Sequence, residues 1–193
     1  MKIYLIRHGE TDWNVEGRIT GEKDIPLNEL GQKQAQTAAD ILKDKDIKKI
    51  FSSPVLRCFA TAEIISKAVN CPIVKDKRWR EIDFGNWAGK IYHDLRKNPD
   101  FKSYYKYFSK RIIPKGEKFI DVQKRVVKAL EDIIKTENES VAVVTHADPI
   151  KLVICHILGL KPSMAAKLLI NNASIICLDM KKASLGCTKI SLS

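Results

Sequence analysis

Two short apolar runs in this chain each end beside a histidine. Residues 2–6 are followed by Arg7 and His8, and residues 140–145 are followed by His146. Both runs are too short for a buried helix and have the length and composition of a buried β-strand. Because the second run is apolar without interruption, we expect it to be a central strand that is covered on both faces. Ligands bind at the carboxyl ends of such strands in open α/β sheets, and both histidines would lie there.

The rest of the chain alternates between helix and strand patterns. Residues 29–43 carry apolar side chains at helical spacing after Asn28, a typical N-cap, and residues 49–53 have the pattern of a second strand. Pro54 is predicted to open a helix that extends to about residue 68. The remaining predicted elements are a short strand at 73–74, a long amphipathic helix at 117–136, a helix opened by Asp148 and Pro149 that ends near Gly159, and antiparallel C-terminal edge strands at 173–179 and 188–192.

These elements predict an α/β fold. Alternating strands and helices are typical of a three-layer αβα sandwich with a mostly parallel, doubly wound sheet, here with an antiparallel edge strand. The aromatic segment from about residue 91 to residue 108 is interrupted at Pro99, and we interpret it as part of a helical, cap-like insertion at about 91–115. Its aromatic side chains either line a substrate entrance or form a small core beneath the insertion. The length of 193 residues, with 45% hydrophobic content, favours a single domain over residues 1–193.

Composition also indicates the cellular context. Met1 and Lys2 lead directly into the first strand, so we expect no secretory leader. No apolar stretch approaches the roughly 20 residues that span a bilayer, and we expect no membrane partner. The five cysteines are an odd number without a C-x-x-C pair. They favour buried thiols in a reducing cytoplasm over a disulfide framework or a zinc site.

The formal net charge is +11, from 34 lysines and arginines against 23 aspartates and glutamates. Nucleic-acid binding, the steering of small anionic substrates and a lysine-rich proteome are three explanations. The lysines are scattered, and the sequence has no block of five like charges and no aromatic-studded basic stripe. The charge therefore favours anionic partners in general, and we do not expect nucleic acid among them.

Four segments carry side chains that would meet at one edge of the sheet. Arg7 and His8 follow the first strand, Arg57 lies in the first turn of a predicted helix, Glu81 lies between two tryptophans, and His146 follows the central strand. An imidazole can attack phosphorus, guanidinium groups can neutralise phosphoryl oxygens, and a carboxylic acid can protonate the leaving oxygen. This set predicts phosphoryl transfer through a phosphohistidine. Because arginine and protonated histidine would supply the positive charge, we expect no metal and no other cofactor.

The residues around these side chains form a series of motifs. RHGETDWN at 7–14 matches RHGETxWN, SSPVLRCFATAE at 52–63 matches S-S-x-x-x-R-x-x-x-T-A-E, and REIDFGNWAG at 80–89 matches R-E-x-x-[FL]-G-x-W-E-G except at Ala88. GEKDIPLNELG at 21–31 and KGEKFIDVQKRV at 115–126 are similar to two further motifs, with Asn28 and Lys118 at positions where a hydroxyl residue is usual. In this order, from residue 3 to about residue 160, the chain resembles the histidine phosphatase superfamily, the phosphoglycerate-mutase-like enzymes, in its small phosphatase branch.

The resemblance implies a role for each matched catalytic residue. His8 would be the nucleophile that is transiently phosphorylated. Arg7, Arg57 and His146 would complete the phosphate pocket around it. Glu81 would donate a proton to the leaving group.

The loops around the pocket add two residues and one rival. Asn14 matches a residue that hydrogen-bonds near the phosphate, and Gly21 lies in the loop beside it. Thr20 stands where glutamine is common, so no substrate contact is carried over to it. Asp148 stands where small members usually have glycine or a variable residue, and distant acid phosphatases place their acid one or two positions after the second histidine. Asp148 is therefore a rival proton donor to Glu81, although we favour its interpretation as an N-cap.

The resemblance implies a phosphomonoesterase that binds small phosphorylated metabolites and releases inorganic phosphate. The stretch after Glu81 is of the phosphatase type and lacks the H-Y-G-x-L-x-G segment of cofactor-dependent mutases. The alternatives are a cofactor-dependent phosphoglycerate mutase, an α-ribazole-5'-phosphate phosphatase, and a non-catalytic member that binds a phospho-ligand or RNA. A homodimer is left open as the assembly state.

Overall fold

A mixed β-sheet forms the centre of the molecule. The computed structural model describes residues 1–106, 113–181 and 186–192. The strands in these ranges are β1 (Lys2–Arg7), β2 (Ile47–Ser52), β3 (Ile73–Lys75), β4 (Ser140–Thr145), β5 (Ile175–Lys181) and β6 (Gly186–Leu192). They lie in the order β3-β2-β4-β1-β5-β6. Strands β1 to β4 run parallel, whereas β5 pairs antiparallel with both β1 and β6.

Helices cover both faces of this sheet. The α-helices of the described residues are α1 (Asp12–Val15), α2 (Glu29–Leu42), α3 (Leu56–Val69), α4 (Tyr92–Leu95), α5 (Pro99–Lys106), α6 (Phe119–Thr136) and α7 (Ala147–Ile157). Successive side chains of a strand point to opposite faces. In β1, Ile3 and Leu5 belong to a core with α6 and α7, whereas Tyr4 and Ile6 belong to a core with α2 and α3. This arrangement confirms the predicted three-layer αβα sandwich with its antiparallel edge.

Strand β4 lies where the sequence predicted it, between β2 and β1. Its four central residues are buried, as expected for a strand that helices cover on both faces. The predicted N-cap of α2 is also confirmed, because the Asn28 side-chain oxygen accepts a hydrogen bond from the Gly31 amide at 2.7 Å. Within the described residues, none of the helices is both long enough and apolar enough to cross a membrane.

Several predicted boundaries differ from the structure by one or two residues, and two of these differences have a clear physical cause. Helix α3 begins at Leu56 rather than at Pro54, because Val55 keeps extended backbone angles and occupies the N-cap position. The first helical amide, that of Leu56, donates to Asp24 Oδ1 at 3.0 Å, so the cap comes from another loop. Strand β5 begins at Ile175 rather than at residue 173, because Ala173 has a φ of +57° that no strand residue adopts.

The interpretation of Asp148 as an N-cap is wrong as well. Helix α7 begins at Ala147, and His146, with a φ of −118°, occupies the N-cap position without a side-chain cap. Because β4 continues into α7 through this one residue, Asp148 falls inside the first helical turn. Its carboxylate forms an ion pair with Lys151 at 3.1 Å.

The described aromatic side chains near the insertion form a core. Trp79, Trp87 and Phe101 are almost fully buried. The ring centroids of Trp87 and Phe101 are 5.0 Å apart, and Tyr92 packs on Phe101 at 5.4 Å. These contacts support the core interpretation over the substrate entrance for those residues. Tyr107 and Phe108 lie outside the described residues, and so do the side chains of Tyr104 and Tyr105.

Two glycines allow α2 to pack directly on the segment that follows β1. A Cβ atom on Gly9 would lie 2.2 Å from the carbonyl oxygen of Gly31, and one on Gly31 would lie 2.0 Å from the carbonyl oxygen of Glu10. The backbone N–H of Asn28 also donates to that Glu10 carbonyl oxygen, at 3.0 Å. The first turn of α2 therefore holds the backbone on either side of Gly9, next to His8.

This contact predicts that Gly31→Ala destabilises the protein, the opposite of the usual effect of replacing a helical glycine by alanine. Alanine in an exposed helix stabilises by about 1 kcal/mol over glycine, but at this position the new methyl group would collide with Glu10. We expect the free energy of unfolding, measured in urea, to fall by roughly 1–3 kcal/mol. The exposed neighbour Gln32→Ala is the control and should change it by less than about 0.5 kcal/mol. A more stable Gly31→Ala protein would contradict the close approach.

Candidate active site

The carboxyl ends of three neighbouring parallel strands bring the predicted residues together. Arg7 of β1 lies opposite Thr145 of β4, and the backbone amide of His8 donates to the Thr145 carbonyl at 3.0 Å. On the other side of β4, the Ser53 amide donates to the Val144 carbonyl at 2.9 Å. The rings of His8 and His146 consequently lie edge to face, with their centroids 5.3 Å apart.

The guanidinium of Arg57 lies between these two rings and is 1% exposed. Its Nε donates to Nε2 of His8 at 3.0 Å, and its Nη2 donates to Nδ1 of His146 at 2.9 Å. The other bonds go to backbone carbonyl oxygens, from Nη2 to Gly21 at 2.7 Å and from Nη1 to Lys23 at 2.8 Å. Arg57 is therefore fixed by two imidazoles and one loop.

Hydrogen bonds determine which nitrogen of His8 can act as a nucleophile. Nδ1 lies 2.7 Å from the Gly9 carbonyl oxygen, which can only accept, so Nδ1 carries the proton. Nε2 is then unprotonated and accepts from Arg57. Burial, and then the charges of Arg57 and Arg7, hold the pKa of His8 well below its usual value. The ring is neutral at physiological pH and its Nε2 lone pair is available.

His146 is neutral for the same physical reasons. Burial lowers its pKa well below the usual value, and the Arg57 charge lowers it further. Because Nδ1 accepts from Arg57, the proton resides on Nε2, which donates to Ser53 Oγ at 2.9 Å. Cys58 Sγ lies 3.3 Å from the same nitrogen, and burial raises the pKa of that thiol to about 12. His146 is therefore an oriented neutral ring beside a neutral thiol.

Arg7 supplies a second cation, and one of its buried nitrogens lacks an acceptor among the described residues. Its Nη1 donates to the Ile170 carbonyl at 2.7 Å, but the buried Nε has no hydrogen-bond partner among the described residues. A buried donor without an acceptor is costly, and an oxygen of an anionic ligand would satisfy it. Burial lowers the pKa of Arg7, partly offset by the nearby carboxylates of Glu81 and Asp148.

The amide of Asn14 is held through its oxygen. Oδ1 accepts from the backbone amide of Thr11 at 3.1 Å, from the Thr11 hydroxyl at 3.0 Å and from Asn172 Nδ2 at 3.2 Å. Thr11 and Asn14 form the capping box of α1. With the oxygen taken by three donors, the Nδ2 group is the part of Asn14 that can donate to a ligand.

The loop that contains Gly21 acts through its backbone. Gly21 has a φ of +55°, which glycine adopts readily, and its carbonyl oxygen accepts from Arg57. A Cβ atom at Gly21 would lie 3.3 Å from the Ile82 carbonyl oxygen, so this loop also touches the segment that carries Glu81. The neighbouring Thr20 is 9% exposed.

Glu81 is a buried carboxyl, 8% exposed, at the same edge of the sheet. Burial raises its pKa to about 7, and the charge of Asp148 adds to this effect. The amide of Ile82, which donates to Oε1 at 3.0 Å, and the charges of Arg57 and Lys151 act in the opposite direction. At neutral pH this group is divided between its acid and its carboxylate forms.

Asp148 affects the pKa of Glu81, but its own carboxylate lies in a different environment. Its own carboxylate is paired with Lys151 on the same helix, and the two side chains are about one-fifth exposed. As a negative charge near the pocket, Asp148 raises the pKa of Glu81. In the described residues, no group of three or more His, Cys, Asp or Glu side chains is arranged to hold a metal ion.

Comparison with known proteins then identifies the family. The family model of the histidine phosphatase superfamily (branch 1) matches residues 3–192. This chain belongs to the histidine phosphatase superfamily. It is 35% identical to phosphoserine phosphatase 1 of Hydrogenobacter thermophilus, over 94% of this chain and 88% of that protein. It is 33% identical to the probable phosphoglycerate mutase GpmB of Proteus mirabilis, over 95% of this chain and 86% of that protein.

A solved structure agrees with these relatives. Bacillus stearothermophilus YhfR superposes with a TM-score of 0.88 at 30% identity, over 96% of this chain and 93% of that chain. The predicted superfamily and the predicted class of enzyme, a histidine phosphatase, are confirmed. The histidine phosphatase fold therefore accounts for the sheet edge at which the candidate residues meet.

Sequence reasoning missed three residues that build the site of this histidine phosphatase. Ser53 orients His146, and Asn172 donates to both the His8 carbonyl oxygen and Asn14, at 3.2 Å each. Arg125 holds the backbone around Glu81. Ser53 and Arg125 lie within the motifs that the sequence displays, so their motif positions were a signal that could have indicated a role in the site. Asn172 immediately precedes a predicted strand. Its contacts with His8 and Asn14 are visible only in the structure, where it lies next to the end of β1.

The raised pKa of Glu81 predicts a pH-dependent stability difference between Glu81→Gln and the unmodified protein. A carboxyl with a pKa of about 7 when folded and 4.5 when unfolded stabilises the fold below pH 4.5. That contribution is lost as the pH rises through 7. The glutamine variant has no such loss, and the histidine contributions cancel in the comparison. From pH 5 to pH 8, its free energy of unfolding should therefore rise relative to the unmodified protein, by on the order of 2–3 kcal/mol. A constant difference in urea unfolding across this range would contradict the raised pKa.

Proposed function

We propose that this protein is a phosphomonoesterase that hydrolyses small phosphorylated metabolites through a phosphohistidine on His8. The observation that carries the proposal is the Arg57 guanidinium, which donates to Nε2 of His8 and Nδ1 of His146 at once. A buried cation next to an unprotonated imidazole nitrogen is the arrangement that attack on an anionic phosphoryl group requires. Arg7, with its unsatisfied Nε, adds the second cation.

In the first half-reaction, the phosphoryl oxygens take over N–H groups of Arg57 and Arg7. When the Arg57 Nε–H group donates its hydrogen bond to a phosphoryl oxygen instead of to His8, the Nε2 lone pair becomes free. This lone pair then forms the bond to phosphorus. The bond between phosphorus and the ester oxygen breaks, and Glu81 in its acid form gives its proton to the leaving alcohol. The two arginines neutralise the charge on the equatorial oxygens of the transition state.

In the second half-reaction, Glu81 is a carboxylate and takes a proton from water. That water attacks phosphorus, the P–N bond to His8 breaks, and inorganic phosphate leaves. A general acid that later serves as a general base works best with a pKa near the working pH. The pKa of about 7 of Glu81 supports this double role. In this proposal arginine supplies the positive charge, and no metal or cofactor takes part. The proposed location of the reaction is the cytoplasm.

The names of the relatives support phosphomonoesters of small hydroxy acids as the substrate class. One is a phosphoserine phosphatase and one a probable phosphoglycerate mutase, so both names refer to phosphomonoesters of small hydroxy acids. We therefore propose a phosphomonoester whose short leaving alcohol carries a carboxylate. The net charge of +11 favours the approach of such a substrate.

A phosphoglycerate mutase is the second candidate, because of the relative of that name. Both reactions share the phosphohistidine and differ in the acceptor, which is water for a phosphatase and a second hydroxyl group for a mutase. With 3-phosphoglycerate as substrate, a phosphatase releases inorganic phosphate. A mutase instead accumulates 2-phosphoglycerate, and this product would favour the second candidate.

The phosphohistidine can be trapped. We expect a phosphoryl-labelled substrate, quenched into alkali during turnover, to leave label on the unmodified protein and none on His8→Ala. Turnover by His8→Ala should fall by on the order of 10³-fold or more, because no other group supplies the nucleophile. His156→Ala, an exposed histidine of α7, is the control and should keep both label and turnover. Label that survives in His8→Ala would refute the proposed nucleophile.

Leaving-group dependence separates Glu81 from Asp148 as the proton donor. Because Glu81 also serves the second half-reaction, the test uses kcat/KM, which reports the steps up to departure of the alcohol: Glu81→Gln should lower it by about 10²–10⁴-fold on an alkyl phosphomonoester and much less on p-nitrophenyl phosphate, whose leaving group needs no proton. Asp148→Asn should keep the alkyl activity. Because removal of this negative charge lowers the pKa of Glu81, the high-pH limb of the activity should move to lower pH. A larger selective loss in Asp148→Asn would assign the donor to Asp148.

A further inference from the structure

The segment that carries Glu81 has no regular secondary structure of its own. It lies between two short 3-10 helices, Lys77–Trp79 and Gly85–Trp87. An irregular segment in the interior needs partners for its backbone carbonyl groups. In this protein, four successive carbonyl oxygens, those of residues 78–81, each accept a hydrogen bond from a side chain of another element.

Three of these four bonds come from one residue, Arg125 of α6. Its Nη1 donates to the carbonyl oxygens of Arg78 and Arg80, both at 2.7 Å, and its Nη2 donates to that of Glu81 at 2.9 Å. The fourth, that of Trp79, accepts from the Thr145 hydroxyl at 2.6 Å. The backbone up to and including Glu81 is thus held by α6 and by the end of β4.

The far side of Arg125 extends this support beyond Glu81. Its Nε and Nη2 bind the Glu117 carboxylate at 3.0 and 2.8 Å. That carboxylate accepts from the Asp83 amide at 3.2 Å, and the Glu117 amide donates to the Asp83 carbonyl oxygen at 2.9 Å. Arg125 therefore links the backbone on both sides of Glu81, and only 15% of its side chain is exposed.

We propose that Arg125 is the positioning residue for the Glu81 proton donor. This inference rests on the proposed function, in which Glu81 protonates the leaving oxygen. Because Arg125 binds the Glu81 carbonyl oxygen itself, a shift of the guanidinium moves the origin of the Glu81 side chain. General acid catalysis requires hydrogen-bond reach to the leaving oxygen, so a shift of about 1 Å is enough to cost on the order of 100-fold in rate.

The proposed role needs the shape of arginine as well as its charge. The planar guanidinium presents its N–H groups in a fixed fork, and Arg125 uses this fork to reach three carbonyl oxygens and one carboxylate. A lysine ammonium is a point charge with three donors and cannot reproduce that geometry. Arg125→Lys therefore keeps the cation and the ion pair with Glu117 while it releases the backbone of Glu81.

Arg78 offers a matched control on the same segment. Its side chain also links this segment to α6, through Asp132 at 2.5 Å, and it binds Asp76 at 2.7 Å. It makes no hydrogen bond to residues 80–82 within the described chain. Arg78→Lys thus weakens the attachment of the segment to α6 without altering the bonds to the carbonyl oxygens of Arg80 and Glu81.

The test compares kcat/KM, which reports the first half-reaction, on phosphoserine and on p-nitrophenyl phosphate. We expect Arg125→Lys to lower kcat/KM on phosphoserine by on the order of 100-fold, with a change of a few fold at most on p-nitrophenyl phosphate. Arg78→Lys should leave the ratio of the two rates unchanged. In the double variant with Glu81→Gln, Arg125→Lys should cause no further loss on phosphoserine, because residues that act as one unit are not additive.

Several outcomes would overturn the proposal. Equal losses on both substrates, an unchanged ratio, or the same altered ratio in Arg78→Lys would show a merely structural role for Arg125. A full additional loss in the double variant would do the same. If Arg125→Lys does not fold, Glu117→Gln decides in its place, since it weakens the hold on Arg125 and should change the ratio in the same direction. Failure of the unmodified protein to turn over either substrate would instead refute the proposed function, and this inference with it.

Discussion

The site depends on one buried cation, the guanidinium of Arg57. A guanidinium with 1% exposure has lost its hydration and needs an acceptor for each N–H group. Here the acceptors are two imidazole nitrogens and two backbone carbonyl oxygens, all uncharged. The strand ends, the positive-φ turn at Gly21 and the start of α3 bring these acceptors together. Because no carboxylate hydrogen-bonds to Arg57 within the described residues, its charge remains available to an anionic ligand.

The same burial has opposite effects on the two kinds of titratable group in this pocket. It lowers the pKa of His8 and of His146, and it raises that of Glu81 to about 7. In each case burial favours the uncharged form, so near neutral pH the histidines are unprotonated while much of Glu81 is still an acid. A proposed nucleophile and a proposed proton donor are thereby ready together. The two arginines would match the charge of a phosphate dianion, so a filled pocket is close to electrically balanced.

The sequence was sufficient for the features that local patterns encode. Apolar runs predicted β1 and β4, the two histidines at their ends predicted the edge where ligands bind, and the Asn28 cap followed from its residue type. The patterns failed at Asp148, because strand and helix are joined by a single residue and only backbone angles reveal that His146 takes the N-cap position. They also could not reveal bonds from a distant side chain to a backbone carbonyl oxygen, such as those of Arg125 and Asn172.

Such bonds explain how an irregular segment can carry a group that must be placed accurately. Thr145, one residue before His146, donates to the Trp79 carbonyl oxygen, so the segment of Glu81 is attached to the strand end that carries His146. Arg125 attaches the same segment to α6, a helix of 18 residues that packs on the sheet. Neither attachment passes through residues 91–115. In the proposed reaction, the relative placement of acid and nucleophile is therefore a property of the sheet edge and of α6.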